Sequence, residues 1–206
     1  MALVFYYAPM TSATRIHWAL EELGMPYEKV KLDLADGEHK RPEYLALNPN
    51  GKVPLVVDDG TPVFESVAIL IHLGQKYGVE RGLWPAPNTP EHARALAWAV
   101  WSAASLSAAI FRLFLNTSSR VPEETRNAAQ AELARVEATS LLGVLETELE
   151  GHDYLLGGPF SFVDLANASA VAFLARTGYD LIPFPRVAAW LGRCTNRPAL
   201  AVATAG

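Results

Sequence analysis

Cysteine is almost absent from this chain of 206 residues; Cys194 stands alone. One thiol excludes a disulfide scaffold, a zinc ribbon and a Cys-x-x-Cys redox site, each of which needs two or more. Lysine is missing from the second half, where every basic side chain is arginine; all five lysines lie between positions 29 and 76. Any lysine-based anion site therefore belongs to the first half. No basic excess exists, since the formal net charge is -5, and a nucleic-acid footprint is not expected. Histidines 17, 72, 92 and 152 have no partners at metal-ligand spacing, and no metal is expected. Neither Gly-x-Gly-x-x-Gly nor a P-loop occurs. Apolar runs are interrupted before the ~18 residues that span a bilayer, and no export signal opens the chain, so a cytoplasmic protein away from membranes is expected. Half of the residues are hydrophobic, which excludes disorder because such a chain can bury enough surface to offset its ordering entropy.

Residues 1–78 alternate strand and helix patterns. Leu3–Tyr7 is rich in β-formers and stops before Pro9. Ile16, Ala19, Leu20 and Leu23 recur at helical spacing, with Thr11 or Ser12 as N-cap and Gly24 as C-cap. Tyr27–Leu32 is a second strand, and a short turn or helix passes through Pro42–Leu45. Pro54–Val57 and Thr61–Phe64 flank an Asp-Gly turn as a hairpin. Ser66–Tyr77 is a helix apolar almost all round, hence buried. The order βαβ-ββα describes a thioredoxin-like α/β domain. Prolines 85, 87 and 90 mark a linker over 79–90. Positions 91–206 read as an all-α helical bundle: one long helix from Glu91 to Leu115, one opening at Pro122 and running to about Glu150, then Ser161–Ala175 and Pro185–Cys194. Ser161 and Asp164 have the spacing of a capping box.

Two features of the first half carry chemistry. Val53-Pro54 opens a strand, where proline is tolerated, and a cis bond there would present the Val53 backbone to a peptide ligand. Glu65-Ser66 stands at a helix N-terminus, whose unpaired N–H groups attract a carboxylate. A serine hydroxyl adds one hydrogen bond, and the glutamate pairs with an ammonium group. Together they suit an α-amino acid head group beside an exposed strand edge.

The segments NPNGKVPLVVDDGTPVFESVAILIHL, GEHKRPEYLALNP, APMTSATRIHWALEELGMPYE and YLLGGPFSFVDLANA resemble the glutathione transferase superfamily over nearly the whole chain. The likeness points to its serine-type, phi- or theta-like branches and to a bacterial source. It implies a thioredoxin-like domain, an all-α domain and a cytoplasmic homodimer active in detoxification. By the same resemblance Val53 pairs with the cysteinyl part of glutathione, Pro54 is the cis-proline, and Glu65 and Ser66 hold the γ-glutamyl end. His39, Lys40 and Lys52 match contacts to the glycyl carboxylate or adjacent groups. Lys52 stands where a glutamine is frequent and acts as a point charge.

The reaction the resemblance implies, conjugation of glutathione to a small apolar electrophile, needs the thiolate. A free thiol titrates near 8.5, and lowering it by ~2 units takes ~2.7 kcal/mol. A hydroxyl donor at a helix N-terminus can supply this. Thr11 aligns with the family's serine and Ser12 follows it; Tyr6 or Tyr7, at the end of the first strand, is the third option. Met10, Trp101, Phe111 and Arg112 are expected to line the electrophile pocket between the domains. Two other functions stay open: a non-catalytic ligand-binding or interaction protein, and another glutathione-dependent reaction such as peroxide reduction, isomerisation or dehalogenation.

Overall fold

A computed structural model describes residues 3–205. The first unit is built on four strands: β1 (Leu3–Tyr7), β2 (Glu28–Lys31), β3 (Leu55–Asp58) and β4 (Thr61–Phe64). Their order is β2-β1-β3-β4, with β1 and β2 parallel and the other pairs antiparallel. Alternation along the strands makes two apolar faces. Leu3, Phe5 and Val56 are buried with α1 (Ala13–Leu23) and α3 (Ser66–Leu73), through Ile16, Leu20, Ile69, Leu70 and Leu73. The opposite face gathers Tyr6, Val30, Leu32 and Leu55 around Tyr44 of α2 (Pro42–Leu45). This is the expected thioredoxin-like arrangement.

The second unit holds α4 (Pro90–Trp101), α5 (Ala108–Thr117), α6 (Ala128–Glu148), α7 (Phe162–Arg176) and α8 (Pro185–Thr195). Its core runs through Ala95, Ala99, Leu142, Leu145, Phe162, Val171 and Trp190. The Ser161–Asp164 capping box forms as expected. The Asp164 carboxylate also accepts hydrogen bonds from the Leu155 amide (2.9 Å) and the Trp190 indole (3.0 Å).

Several sequence expectations need correction. The helix expected from Glu91 to Leu115 is divided by a widened π-helical segment, Ser102–Ser107, between α4 and α5. The continuous run Pro90–Thr117 is long and apolar enough, by length and composition, to cross a membrane, and only 33% of its most apolar window is buried within the chain. Alanine richness makes it more apolar than its interrupting serines suggested. The helix expected to open at Pro122 begins at Ala128. Pro122 is extended, Glu123–Thr125 forms one 3-10 turn, and the Asn127 side chain accepts the Gln130 amide at 3.1 Å, which is the true N-cap.

A last helix, α9 (Pro198–Ala205), was not anticipated. It packs on α1. Arg197 makes two charge-assisted bonds to Glu22, each 2.6 Å, and the buried His17 ring meets the Ala203 carbonyl at 3.1 Å. The compact units are therefore Met1–Arg81 with Arg197–Gly206, and Gly82–Asn196. The chain end expected in the helical domain belongs with the first one, because its partners are on α1. The helix expected to reach Tyr77 also changes, becoming a π-turn over Gly74–Gly78.

Candidate functional site

Topology brings the candidate residues to one end of the sheet. β1 and β2 run parallel and finish side by side, with Tyr7 opposite Lys31. β3 runs the other way and starts there, with Leu55 opposite Tyr6. β4 returns to the same end, with Phe64 opposite Leu55. The loop Ala8–Ser12, the peptide Val53–Pro54 and the residues Glu65–Ser66 all leave from this edge.

Within the loop, the two hydroxyls differ. Thr11 donates to the Ala8 carbonyl at 2.7 Å and accepts the Ala13 amide at 3.2 Å. Its hydroxyl is committed to shaping the turn. Ser12 occupies the N-cap position of α1 but makes no side-chain cap bond, and it is exposed. Met10 is 85% exposed at a positive φ of 59°. Arg15, in the first turn of α1, was missed by sequence reasoning. No hydrogen bond or ion pair joins it to another described residue, and burial lowers its pKa to about 10. Only desolvation distinguishes it from any other helical arginine, and no sequence pattern reports that.

Tyr6 and Tyr7 point to opposite faces. Tyr6 packs edge-on against Tyr44, with centroids 5.8 Å apart. Tyr7 stacks on Phe5 at 5.4 Å and lies near His17, on the α1 side.

The Val53–Pro54 bond is cis, and Val53 precedes the β3 ladder by two residues. Glu65, not Ser66, is the N-cap of α3, with φ 68° and no side-chain cap bond. A non-glycine residue at positive φ costs about 1–3 kcal/mol and tends to mark functional sites. Ser66 is the first helical residue. The first turn of α3 therefore offers backbone N–H groups that no N-cap side chain occupies.

A third segment meets this edge. His39 and Lys40 lie in the 3-10 turn Glu38–Lys40. His39 has a buried Nδ1 without a partner. Lys40 reaches back to donate to the carbonyls of Gly51 (2.8 Å) and Asn50 (3.3 Å). Gly51 is buried at φ +54°, and a Cβ there would lie 2.8 Å from both the His39 carbonyl and Lys40 Nζ. The Lys52 side chain is exposed, while its carbonyl accepts from Tyr44 Oη at 2.6 Å and Asn48 Nδ2 at 2.7 Å. A cavity of about 490 Å³ adjoins the same edge, between Ala8–Pro9 and the segment Lys31–Ala35.

The remaining pocket candidates belong to the second unit. Trp101 packs against Trp98, with centroids 5.0 Å apart. Phe111 is 54% exposed and stacks on Phe114. Arg112 is ion-paired with Glu137 of α6, so its charge is already engaged. Among the described residues no group of three metal-ligating side chains occurs.

Comparison with known proteins shows the family. Residues 1–75 match the family "Glutathione S-transferase, N-terminal domain", and residues 104–198 match "Glutathione S-transferase, C-terminal domain". Glutathione S-transferase GstB of Escherichia coli is 33% identical over 92% of this chain and 91% of its own length. Disulfide-bond oxidoreductase YfcG of the same organism is 33% identical over 94% and 90%. Among solved structures, the glutathione transferase URE2P6 of Phanerochaete chrysosporium, in complex with oxidized glutathione, superposes with a TM-score of 0.88 at 29% identity, covering 98% of this chain and 94% of that one. Ure2p in complex with glutathione gives a TM-score of 0.89 at 26% identity, covering 100% and 93%. With both halves matched and relatives aligned almost end to end, the chain belongs to the glutathione S-transferase family.

Proposed function

We propose that this chain binds glutathione at the sheet edge, ionises its thiol and adds the thiolate to a small apolar electrophile. The observation that carries this reading is the convergence of an unengaged hydroxyl at the head of α1, the Val53–Pro54 peptide and the open first turn of α3. Glu65 and the first-turn amides of α3, with Ser66, hold the γ-glutamyl ammonium and carboxylate. The Val53 backbone aligns the cysteinyl residue. His39 and Lys52 face the glycyl carboxylate, with Lys40 tying their two segments together.

Ser12 is the thiolate donor in this reading, because Thr11 has already spent its proton on Ala8. A hydrogen bond to an anion contributes about 1.5–3 kcal/mol. Added to the helix N-terminus and the positive charge of Arg15, this covers the ~2.7 kcal/mol of a two-unit shift. The thiolate then forms the new C–S bond while the electrophile's leaving group departs or its carbanion takes a proton from water. A homodimer is part of the proposal. It is supported by the exposed apolar side of the Pro90–Thr117 run, including Val100, Phe111 and Leu115.

The test is glutathione binding followed by conjugation of 1-chloro-2,4-dinitrobenzene. Binding at millimolar ligand with turnover supports transfer; no binding refutes the whole reading. A second reading, disulfide reduction by two glutathione molecules giving two thiols and glutathione disulfide, is favoured by the likeness to the E. coli oxidoreductase. Both attacking thiols would then come from the ligand, since Cys194 is buried. Turnover of a model disulfide without conjugation would select it.

A further inference from the structure

The end of the sheet opposite the candidate site carries a cluster that catalysis does not use. Asp58, the last residue of β3, has a fully buried side chain. Three donors converge on it. His72 Nε2–H and Lys76 Nζ donate to Oδ2 at 2.6 and 2.8 Å, and Tyr77 Oη donates to Oδ1 at 2.7 Å. Lys76 also reaches Asp59 at 3.1 Å, in the hairpin turn. Burial alone would raise the Asp58 pKa, but the bonds from Lys76, Tyr77 and His72 together hold it below the ordinary carboxylate value.

All three donors come from α3 and the turn that follows it. In a regular α-helix, positions 72 and 76 share a face but 77 turns away. The π-turn over Gly74–Gly78 widens the repeat to five residues and brings Tyr77 back into line with His72. Helix hydrogen bonding is thus altered where it lets one carboxylate collect all three groups.

β3, β4 and α3 consequently form a closed triangle. Two corners lie at the candidate site: Pro54, which leads into β3, and Glu65–Ser66, where β4 passes into α3. The third corner is Asp58, where the far end of α3 is bonded back to the far end of β3. The ladder fixes β3 against β4, with Leu55 opposite Phe64. At its other end α3, already packed through Ile69, Leu70 and Leu73, is tied to β3 by the bonds to Asp58.

We infer that the Asp58–His72–Lys76–Tyr77 cluster sets the spacing between the two glutathione clamps, Val53–Pro54 and Glu65–Ser66, so that these four are positioning residues for a ligand they never touch. The inference rests on the glutathione-binding reading above. Fixed spacing matters because ligand groups must be held within about half an ångström of productive geometry.

The test compares Asp58→Asn, Lys76→Met and the conservative Lys76→Arg with a control, Val171→Ala, in the core of the second unit. Glutathione affinity is measured by calorimetry on each protein at a temperature where circular dichroism shows it folded. Hydrogen exchange at the amides of residues 69–72, the first to be hydrogen-bonded within α3, is followed without ligand. Expected are a rise in glutathione Kd of about tenfold for Lys76→Met, roughly the loss of one hydrogen bond to a charged group, and faster exchange at 69–72. Lys76→Arg should restore both. A purely structural role would lower the active fraction, moving apparent kcat but not Kd or KM, as in Val171→Ala. Unchanged Kd together with unchanged exchange at 69–72 in folded Lys76→Met would overturn the inference. Failure of the parent protein to bind glutathione would instead overturn the proposed function, and the exchange arm would still decide whether the cluster governs the start of α3. If Asp58→Asn does not fold, Lys76→Met carries the test, because it leaves two donors on the carboxylate.

Discussion

Replacing Ser12 by alanine tests the proposed thiolate donor apart from the turn, because of the two hydroxyls only that of Thr11 is engaged locally. Ser12 makes no side-chain cap bond, whereas Thr11 makes two local bonds, of 2.7 and 3.2 Å. Ser12→Ala should therefore cost less than about 0.5 kcal/mol of stability, as for an ordinary surface change. It should remove one hydrogen bond to the bound thiolate, about 1.5–3 kcal/mol, which raises the thiol pKa by roughly 1–2 units. If the parent complex titrates near 6.5, conjugation at that pH falls about five- to fiftyfold. Thr11→Val should behave in the opposite way. It loses two neutral bonds, about 1–2 kcal/mol together, and lowers Tm by a few degrees for a chain of this size. The thiol pKa should stay within about half a unit of the parent value. The assay is ultraviolet thiolate absorbance of the saturated glutathione complex against pH, with a thermal melt of each protein. A raised thiol pKa in Thr11→Val and an unchanged one in Ser12→Ala would refute the assignment. No change in either would move attention to Tyr6, since Tyr7 leans back on Phe5.

Three further outcomes are expected. Gly51→Ala places a methyl 2.8 Å from the His39 carbonyl at φ +54°; it should destabilise by about 1–3 kcal/mol and weaken glutathione binding, read by urea denaturation and calorimetry. The folded Asp58 pKa lies below its ordinary 3.8, so between the two values the unfolded chain binds more protons and stability rises with pH. Its contribution should be complete above about pH 5 and should disappear as pH falls through 3.8 toward the folded value, so acid melts of Asp58→Asn should lack that slope. Asp164→Ala leaves the Leu155 and Ser161 amides, the Ser161 hydroxyl and the Trp190 indole without their acceptor. It should cost more than about 3 kcal/mol, seen as a lower urea midpoint by far-ultraviolet circular dichroism.

Much of the local backbone geometry at the candidate site was legible because its signals are local. Proline before a strand, a serine at a helix start and a glycine-punctuated turn each constrain the nearest few backbone dihedrals, and residues 48–66 hold most of them. The choice between Thr11 and Ser12 was not legible. Both hydroxyls suit a helix start, and only the position of the Ala8 carbonyl shows which one is engaged. Tyr6 and Tyr7 stood as equal alternatives in the sequence, and only the structure shows that one meets Tyr44 and the other lies near His17.

The near absence of cysteine, the clustering of lysine and the βαβ-ββα order follow from the sequence alone, because composition and short-range periodicity need no knowledge of distant residues. Contacts between remote positions were decided by tertiary structure. Asp58 reads as a turn residue until His72, Lys76 and Tyr77 fold back on it across fourteen to nineteen positions. Arg197 carries no sequence signal of a partner until Glu22 pairs with it, 175 positions away. Burial turns such charges from solvated surface groups into organising ones: a carboxylate taken out of water must be fully hydrogen-bonded, and whichever elements supply the donors are held where the carboxylate is.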